Sequence, residues 1–397
     1  MTKTEKVRDI PWEKRSLWSR LHKVHCILLI STPLIALYGF VNVSLQAKTL
    51  LWTLFYYYIS AFGITGGYHR LWAHKSYSAI LPVQIMLSCA GAAAVQGSIQ
   101  WWSRGHRAHH RYVDTDKDPY NANRGLWYSH LGWLLMKPEP GKIGYADTSD
   151  LKKDPVVVFQ HKHYVKFALF MGFVFPTLVP GLCWGDWQGG FFYSAIARLV
   201  FVHHATFCVN SLAHYIGEFT YDDKHTPRDH IITAFVTLGE GYHNFHHEFP
   251  GDYRNAIRYY QYDPTKWTIR LLSFFGLTYD LKRFPTNEIV KGYVHMQEKK
   301  IDAIKQTLDW GKKREELPAY SPKQFQHRVK VDNCNWVIID GFIHDVADFI
   351  QDHPGGKALI KSYIGKDCTD AFTGGVYDHS NGARNLLTSM RVGTISK

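Results

Sequence analysis

The chain has 397 residues, of which 46% are hydrophobic, 15% aromatic and 20% charged, which excludes a disordered protein and leaves room for two or three domains. Mean hydropathy is −0.23, too low for a chain built only of membrane helices. Of the formal charge of +12, all but one unit lies in front of Ala319, because from there on nine Lys/Arg and eight Asp/Glu nearly cancel. Nucleic acid, an anionic membrane surface and a phosphate-bearing ligand all suit such an excess. The six cysteines form no Cys-x-x-Cys pair, and Cys26, Cys89, Cys183 and Cys208 sit in apolar stretches. That pattern argues against a disulfide framework or a thiolate zinc site and for a reducing setting.

The first 23 residues are basic and polar (Lys3, Lys6, Arg8, Lys14, Arg15, Arg20, Lys23). They are too long for the charged head of a secretory signal, and no cleavage site follows. Apolar runs at 24–43, 49–68, 165–184 and 191–211 are each long enough to span a bilayer and pair into two helical hairpins. The loop of the second hairpin (Gly185, Asp186, Trp187, Gln188) lacks Lys and Arg, whereas the outer flanks are rich in them. The positive-inside rule therefore places both termini in the cytosol. A fifth apolar stretch, 80–99, is ambiguous by length. Residues 292–318 are charged and helix-prone and read as a connector. Beyond them, 319–397 alternates β-type runs such as Trp336-Val-Ile-Ile with Gly-rich turns, a small α+β domain. The expected architecture is mainly α: a membrane domain over 1–291 with four transmembrane helices and a cytosolic helical cap, the connector, and the α+β domain. No G-x-G-x-x-G or Walker sequence occurs, which argues against a built-in nicotinamide or ATP site.

Histidine is the unusual residue, with 23 copies. His69-Arg-Leu-Trp-Ala-His74 follows the second apolar run, His106-Arg-Ala-His109-His110 follows the ambiguous stretch, and His243-Asn-Phe-His246-His247 follows the fourth run. In the last two, offsets of three and four put all three imidazoles on one helix face. The offset of five in the first leaves that face, so His74 is expected just past a helix end. Asn210 and His214 lie one helical turn apart. Clustered neutral imidazoles need something to share their lone pairs, and imidazole favours Fe, Zn and Cu. Nine candidates (His69, His74, His106, His109, His110, His214, His243, His246, His247) are too many for one ion, so two ions with four or five ligands each are expected. His106 reaches the side of His69 and His243 only if 80–99 does not cross, so that stretch is assigned as embedded or interfacial. Arg198 is an intramembrane charge needing a partner, and His203 and His204 read as packed or supporting residues.

His69-Arg-Leu-Trp-Ala-His74, His106-Arg-Ala-His109-His110, Asn210-Ser-Leu-Ala-His214 and His243-Asn-Phe-His246-His247 closely resemble the membrane-bound acyl-CoA Δ9 (stearoyl-CoA) desaturases over about residues 18–284. The resemblance implies that the nine histidines bind two irons and that Asn210 reaches one of them through water. His243 disfavours the front-end subclass, which has Gln there. Breaking an unactivated methylene C–H calls for a di-iron centre, O2 and two electrons, with the protein supplying binding and orientation. In the tail, His353-Pro-Gly-Gly, the stretch Asp340-Gly-Phe-Ile-His-Asp-Val before it, and His379-Ser-Asn-Gly-Ala-Arg 26 residues after His353 resemble cytochrome b5, which implies axial ligation of haem b by His353 and His379. A fused haem carrier raises the effective concentration of electron donor, and a C-terminal fusion resembles the fungal Δ9 desaturases.

Basic residues around the second box (Arg104, Arg107, Arg111, Arg124, Lys137) suit the phosphates of CoA, although for most of them individually a solvated, lipid-facing basic surface is the expected reading. Arg104 is singled out because it aligns with a CoA-contacting arginine of the family. Gln96, Trp102, Trp133 and Thr206 align with residues that shape its bent acyl tunnel, whereas Gly97 and Gly105 replace an asparagine and an aspartate that contact CoA in animal relatives. Tyr57, Ala61 and His69 share roughly one helix face at multiples of four, and Tyr57 to His69 spans about 18 Å. An acyl tail of eight further carbons, roughly 10 Å long, fits that span with the Tyr ring. Tyr57 is thus expected to close the blind end, as the aligned tyrosine does in the family, with Ala61 leaving space nearer the metal.

The expected function is O2-dependent Δ9 desaturation of palmitoyl- or stearoyl-CoA in the endoplasmic reticulum membrane, with NADH-cytochrome b5 reductase as electron donor, the active site cytosolic and no nucleic acid partner. The alternatives are a fused di-iron fatty-acid or sphingolipid hydroxylase and a non-catalytic membrane electron-transfer haemoprotein.

Overall fold

The computed structural model describes residues 12–375 and 377–396. Lys3, Lys6 and Arg8 of the basic N-terminal stretch lie outside them. The chain divides into two compact units, Met1–Glu298 and Lys299–Lys397.

The first unit is helical. Helix α1 (Lys23–Asn42) is apolar on every side, and Ile27, Leu34 and Val41 are exposed, as expected of a helix whose outer surface meets lipid rather than water. Helix α2 (Ala47–Phe62) runs without a break into a wider helical stretch, Gly63–Ala73. Helix α3 (Leu81–Ala93) has 13 residues, about 20 Å of helix against a hydrocarbon core of about 30 Å. It falls in the 80–99 stretch and is too short to cross. Helix α4 (Ile99–Tyr112) starts at Ser98, whose hydroxyl accepts the Trp101 N–H. Helix α5 (Pro155–Trp184) starts at Asp154, whose carboxylate accepts the Val156 and Val157 N–H groups, with Pro155 at a first-turn position where its missing N–H costs nothing. Helix α6 (Trp187–Tyr215) follows a tight turn in which Gly185 adopts φ +78°. By length and composition, α1, α5 and α6 can each cross a membrane.

Buried Asp186, in the loop between α5 and α6, accepts from the Thr49 hydroxyl at 2.5 Å and from Gly189 N at 2.8 Å. The α5–α6 hairpin is thus joined to the start of α2. Short helices α7 (Ile231–Val236) and α8 (His243–Glu248), then α9 (Pro264–Phe274) and α10 (Thr286–Thr307), follow. Strands β1 (Ser78–Ala79) and β2 (Thr278–Tyr279) pair antiparallel. Helix α10 runs across the division between the units and through part of the charged 292–318 stretch.

The second unit has a four-stranded sheet in the order β3-β6-β5-β4, from β3 (Ala319–Tyr320), β4 (Trp336–Ile339), β5 (Phe342–Asp345) and β6 (Arg391–Ile395). Alternation along β4 sends Trp336 and Ile338 to one core with Phe325 and Ile343, and Val337 and Ile339 to another with Val346 and Ile350. That is the period-two signature of a sheet covered on both faces. Helix α11 (Pro322–Lys330), with a Ser321–Gln324 capping box, covers the first face through Phe325. Helices α12 (Lys357–Ser362), α13 (Thr369–Thr373) and α14 (Asn381–Ser389) contribute Ile360, Phe372 and Leu387 to the second.

Candidate metal centre

The nine histidines converge into two groups, His69, His74, His106, His110 and His246 in one and His109, His214, His243 and His247 in the other, with the ligand atoms of each group within 4.8 Å of one another. Helical geometry explains why each H-x-x-H-H box serves both. At about 100° per residue, positions three and four along fall on opposite sides of the first residue and about 100° from each other. The i,i+4 pairs, His106/His110 and His243/His247, therefore stay together, while His109 and His246 turn to the other group.

His74 is the cap residue of the wide stretch Gly63–Ala73, and its N–H donates to the His69 carbonyl at 3.0 Å. Hydrogen bonds spanning five residues carry more residues per turn than an α-helix and recur at functional sites. Here they bring the offset-five pair together, with ring centroids 4.9 Å apart.

The rings present lone pairs, not protons, to the centre of each group. His69 Nδ1–H donates to Glu240 Oε2 at 3.0 Å and His109 Nδ1–H to Asp118 Oδ1 at 2.9 Å. His214 Nδ1–H donates to Thr226 Oγ1 at 2.7 Å, whose hydroxyl donates to Asp114 Oδ1 at 2.6 Å. A neutral ring protonated at Nδ1 has only an acceptor at Nε2. Yet His69 and His246 approach Nε2 to Nε2 at 3.0 Å, His246 and His110 at 3.0 Å, His74 and His106 at 2.7 Å, and His109 and His247 at 3.2 Å. The buried Nε2 of His214 has no partner among the described residues. Burial, reinforced by the neighbouring imidazoles, holds His74, His106, His110, His243, His246 and His247 well below the usual imidazole range. Buried neutral rings aiming lone pairs at common points fit two borderline metal ions.

Glu240 is itself held from behind. Burial opposes its ionisation, but Arg70 and then His69 prevail and bring its carboxyl down to about 2. Arg70, buried beneath the first box, donates to Glu240 Oε1 at 2.8 Å, to both oxygens of Asp263 at 3.0 and 3.1 Å and to the Tyr253 carbonyl at 2.8 Å. Such carboxylates fix the tautomer and aim of a metal-binding ring. Glu240, Asp118 and the Thr226–Asp114 pair carry no spacing that marks them in the sequence.

In the second unit, His353 and His379 face each other with ring centroids 6.5 Å apart and a tilt of 36°. His353 Nδ1 lies 3.3 Å from the Gly356 carbonyl and His379 Nδ1 3.0 Å from that of Phe372, so each Nε2 is an acceptor free to ligate. A Cβ on Gly355 would lie 2.9 Å from His353 Cε1, and Gly356 adopts φ +91°. Only glycines allow the backbone to pass this ring so closely. Exposed Tyr377 sits against His379, and exposed Leu359 lies beside Gly355, apolar surface suited to a flat porphyrin.

Residues 47–280 match the family Fatty acid desaturase, and residues 321–396 the family Cytochrome b5-like Heme/Steroid binding domain. The chain is 52% identical to the Probable acyl-CoA desaturase of Schizosaccharomyces pombe, covering 98% of this chain and 80% of that one. It is 47% identical to Acyl-CoA desaturase 1 of Saccharomyces cerevisiae (98% and 77%) and 41% identical to the Stearoyl-CoA desaturase of Homo sapiens (65% and 73%). The chain belongs to the fatty acid desaturase family.

A cavity of ≈ 880 Å³ in this desaturase has Ala61, Gln96, Trp102, Arg104, Trp133, Thr206 and Asn210 on its wall, together with His69, His106, His109 and His243. Tyr57 is not on that wall; it is partly buried and packs against the main apolar core. Gln96 Nε2–H donates to Thr206 Oγ1 at 2.9 Å, and Trp102 stacks on His106 at 5.0 Å. Of the basic residues singled out around the second box, Arg104 is exposed on the cavity wall. Arg107 is committed elsewhere: it forms a two-pronged pair with Asp150 at 2.8 Å and donates to the carbonyls of Trp72, Ala73 and Asp147. Lys137 donates to the Ser19 carbonyl, and Arg124 to the Tyr128 hydroxyl. The cavity also carries Lys142, and Lys162 and Lys166 from α5, which no motif had marked.

Proposed function

We propose that this chain desaturates fatty acyl-CoA at Δ9, with electrons supplied through its own haem domain. The observation that carries the reading is the cavity, which joins cationic residues (Arg104, Lys142, Lys162, Lys166) to the wall formed by His69, His106, His109 and His243. The cations suit the phosphates of CoA, and the apolar interior suits an acyl chain.

The residues present would hold two iron ions, one on His69, His74, His106, His110 and His246 and one on His109, His214, His243 and His247. When bound, the irons supply the O2-dependent oxidising power needed to remove two hydrogens from an unactivated methylene pair. Overall, the saturated acyl-CoA, O2, two electrons and two protons give the cis alkene and two waters. The protein's part is placement. Arg104 and the α5 lysines anchor the head group, Gln96 and Thr206 bend the wall beside the histidines, Trp102 lines the reacting segment, and Ala61 leaves space for the acyl tail. Asn210, at the end of a long helix, is read as reaching one iron through water. In the second unit, His353 and His379 hold haem b, with NADH-cytochrome b5 reductase as its reductant.

The reading places four crossings in the endoplasmic reticulum membrane, α2 with its wide extension being the fourth, and both termini and the active site in the cytosol. Expressing the full chain in cells that make no monounsaturated fatty acids, then analysing their lipids, tests it. Cis-9 palmitoleate and oleate are expected. Acyl alcohols would favour the hydroxylase, and no acyl product with intact haem would favour an electron carrier.

A further inference from the structure

Between the end of α3 and the Ser98 cap of α4, residues 94–97 make a sharp turn. Val95 adopts φ +53° and Gly97 φ +97°. A β-branched residue in the left-handed region is rare and persists only where its surroundings over-determine it.

Here the surroundings come mainly from α6, which grips the turn along its length. Arg198 donates to the Ala93 carbonyl at 2.7 Å, His203 Nε2–H to the Ala94 carbonyl at 2.8 Å, and Thr206 accepts from Gln96 at 2.9 Å. Arg198 is fully buried within a helix long and apolar enough to cross a membrane, where a charge is costly and marks a function. Its five hydrogen bonds all go to oxygens of uncharged groups, among them Ser60 Oγ and the Gly172 carbonyl. Gly172 also makes room for the strained residue, since a Cβ there would lie 2.6 Å from Val95 Cγ2. From α5, the Tyr164 hydroxyl accepts the Gly97 N–H at 2.8 Å.

This turn forms part of the cavity wall through Val95, Gln96 and Gly97 and leads directly into α4, which carries His106, His109 and His110. Its position therefore sets the wall relative to the histidine centre. We infer that Arg198 and His203 are positioning residues which, through the 94–97 turn, fix the point along the acyl chain that meets the metal centre. The inference rests on the desaturase reading above. It concerns where the double bond falls and how sharply, not whether the reaction occurs.

The test uses the full chain in cells that make no monounsaturated fatty acids, with double-bond positions read by mass spectrometry. Wild type is compared with His203→Leu, His203→Gln, Arg198→Gln and Gly172→Ala. His203→Leu is expected to lower the ratio of the main positional isomer to its neighbours about tenfold, the equivalent of one buried hydrogen bond. His203→Gln, whose amide still donates to Ala94, restores the ratio. Arg198→Gln, too short to hold both Ala93 and Gly172, and Gly172→Ala, which displaces Val95 without removing a polar group, shift it in the same sense as His203→Leu. Variants that lose yield but keep the wild-type isomer and chain-length profile overturn the inference. A wild-type chain that forms no alkene overturns the desaturase reading instead, so the two failures are told apart.

Discussion

Glu240 stands between a ring of the histidine cluster and a buried cation: one of its oxygens accepts from His69 Nδ1 at 3.0 Å and the other from Arg70 at 2.8 Å. The carboxylate thereby sets which His69 nitrogen carries the proton and leaves the Nε2 lone pair facing His246, where the proposed metal would take it. Glu240→Gln removes the charge that both neighbours need. It is expected to weaken metal binding about ten- to a hundredfold while leaving the haem spectrum unchanged. Iron content per chain, measured after competition with a chelator, checks this; undiminished retention would count against the role.

His106→Ala, His110→Ala and His247→Ala each remove one lone pair from a buried group of four or five. Each is expected to abolish desaturation, with haem absorbance intact because the haem residues belong to the other unit. Asn210 lies on the cavity wall and is proposed to reach the metal only through water, so Asn210→Ala is expected to cost about tenfold or less, as for the loss of one hydrogen bond. Rates per chain beside absorption spectra separate the cases, and full activity in any of the three histidine variants would sink the di-iron assignment.

His353→Ala or His379→Ala removes one of two facing imidazoles, the proposed haem ligands. Both variants are expected to lose the haem absorbance and all turnover in cells lacking any other cytochrome b5, and to recover turnover when a separate one is supplied. Undiminished activity of the haem-free chain without such a supply would refute the relay.

Ala61 is buried and lines the cavity, so Ala61→Phe is expected to shift preference toward shorter acyl chains. Tyr57 stands one turn behind it, against the apolar core, and Tyr57→Ala is expected to admit longer chains by vacating volume there. Competition among C14, C16, C18 and C20 acyl-CoA reports both shifts. An unaltered profile at normal activity would show that neither residue controls chain length.

Hydropathy located α1, α5 and α6 because burial in lipid demands unbroken apolar length, whereas the run at 49–68 falls on α2 and its wide extension, which is not among the helices long and apolar enough to cross. The spacing of histidines marked the nine that converge. How they divide was not legible. The split of each box between two groups depends on how α4 and α8 face each other, and the spacing of His69 and His74 becomes informative only once the helix is known to widen. Glu240, Asp118 and Asp114 are ordinary carboxylates in sequence, made specific by contacts 171, 9 and 112 residues away. Arg107 was equally illegible: a place in a basic cluster suits either phosphate or a solvated surface, and its geometry commits it to Asp150. Arg198, a charge without an evident partner in sequence, is met by carbonyl oxygens that no side-chain pattern reveals.

The wide stretch Gly63–Ala73 makes residue count, rather than residue identity, a determinant of this site. Deleting a single residue there other than His69 or Arg70 would let the segment relax toward an ordinary α-helix. Helicity, apolar length and every histidine would survive, yet the rings on either side of the deletion would rotate out of phase, and Arg70 would swing away from Glu240. Single-residue deletions between 63 and 73 should therefore be far more damaging than most substitutions at the same positions, a sensitivity to length that composition and hydropathy do not register.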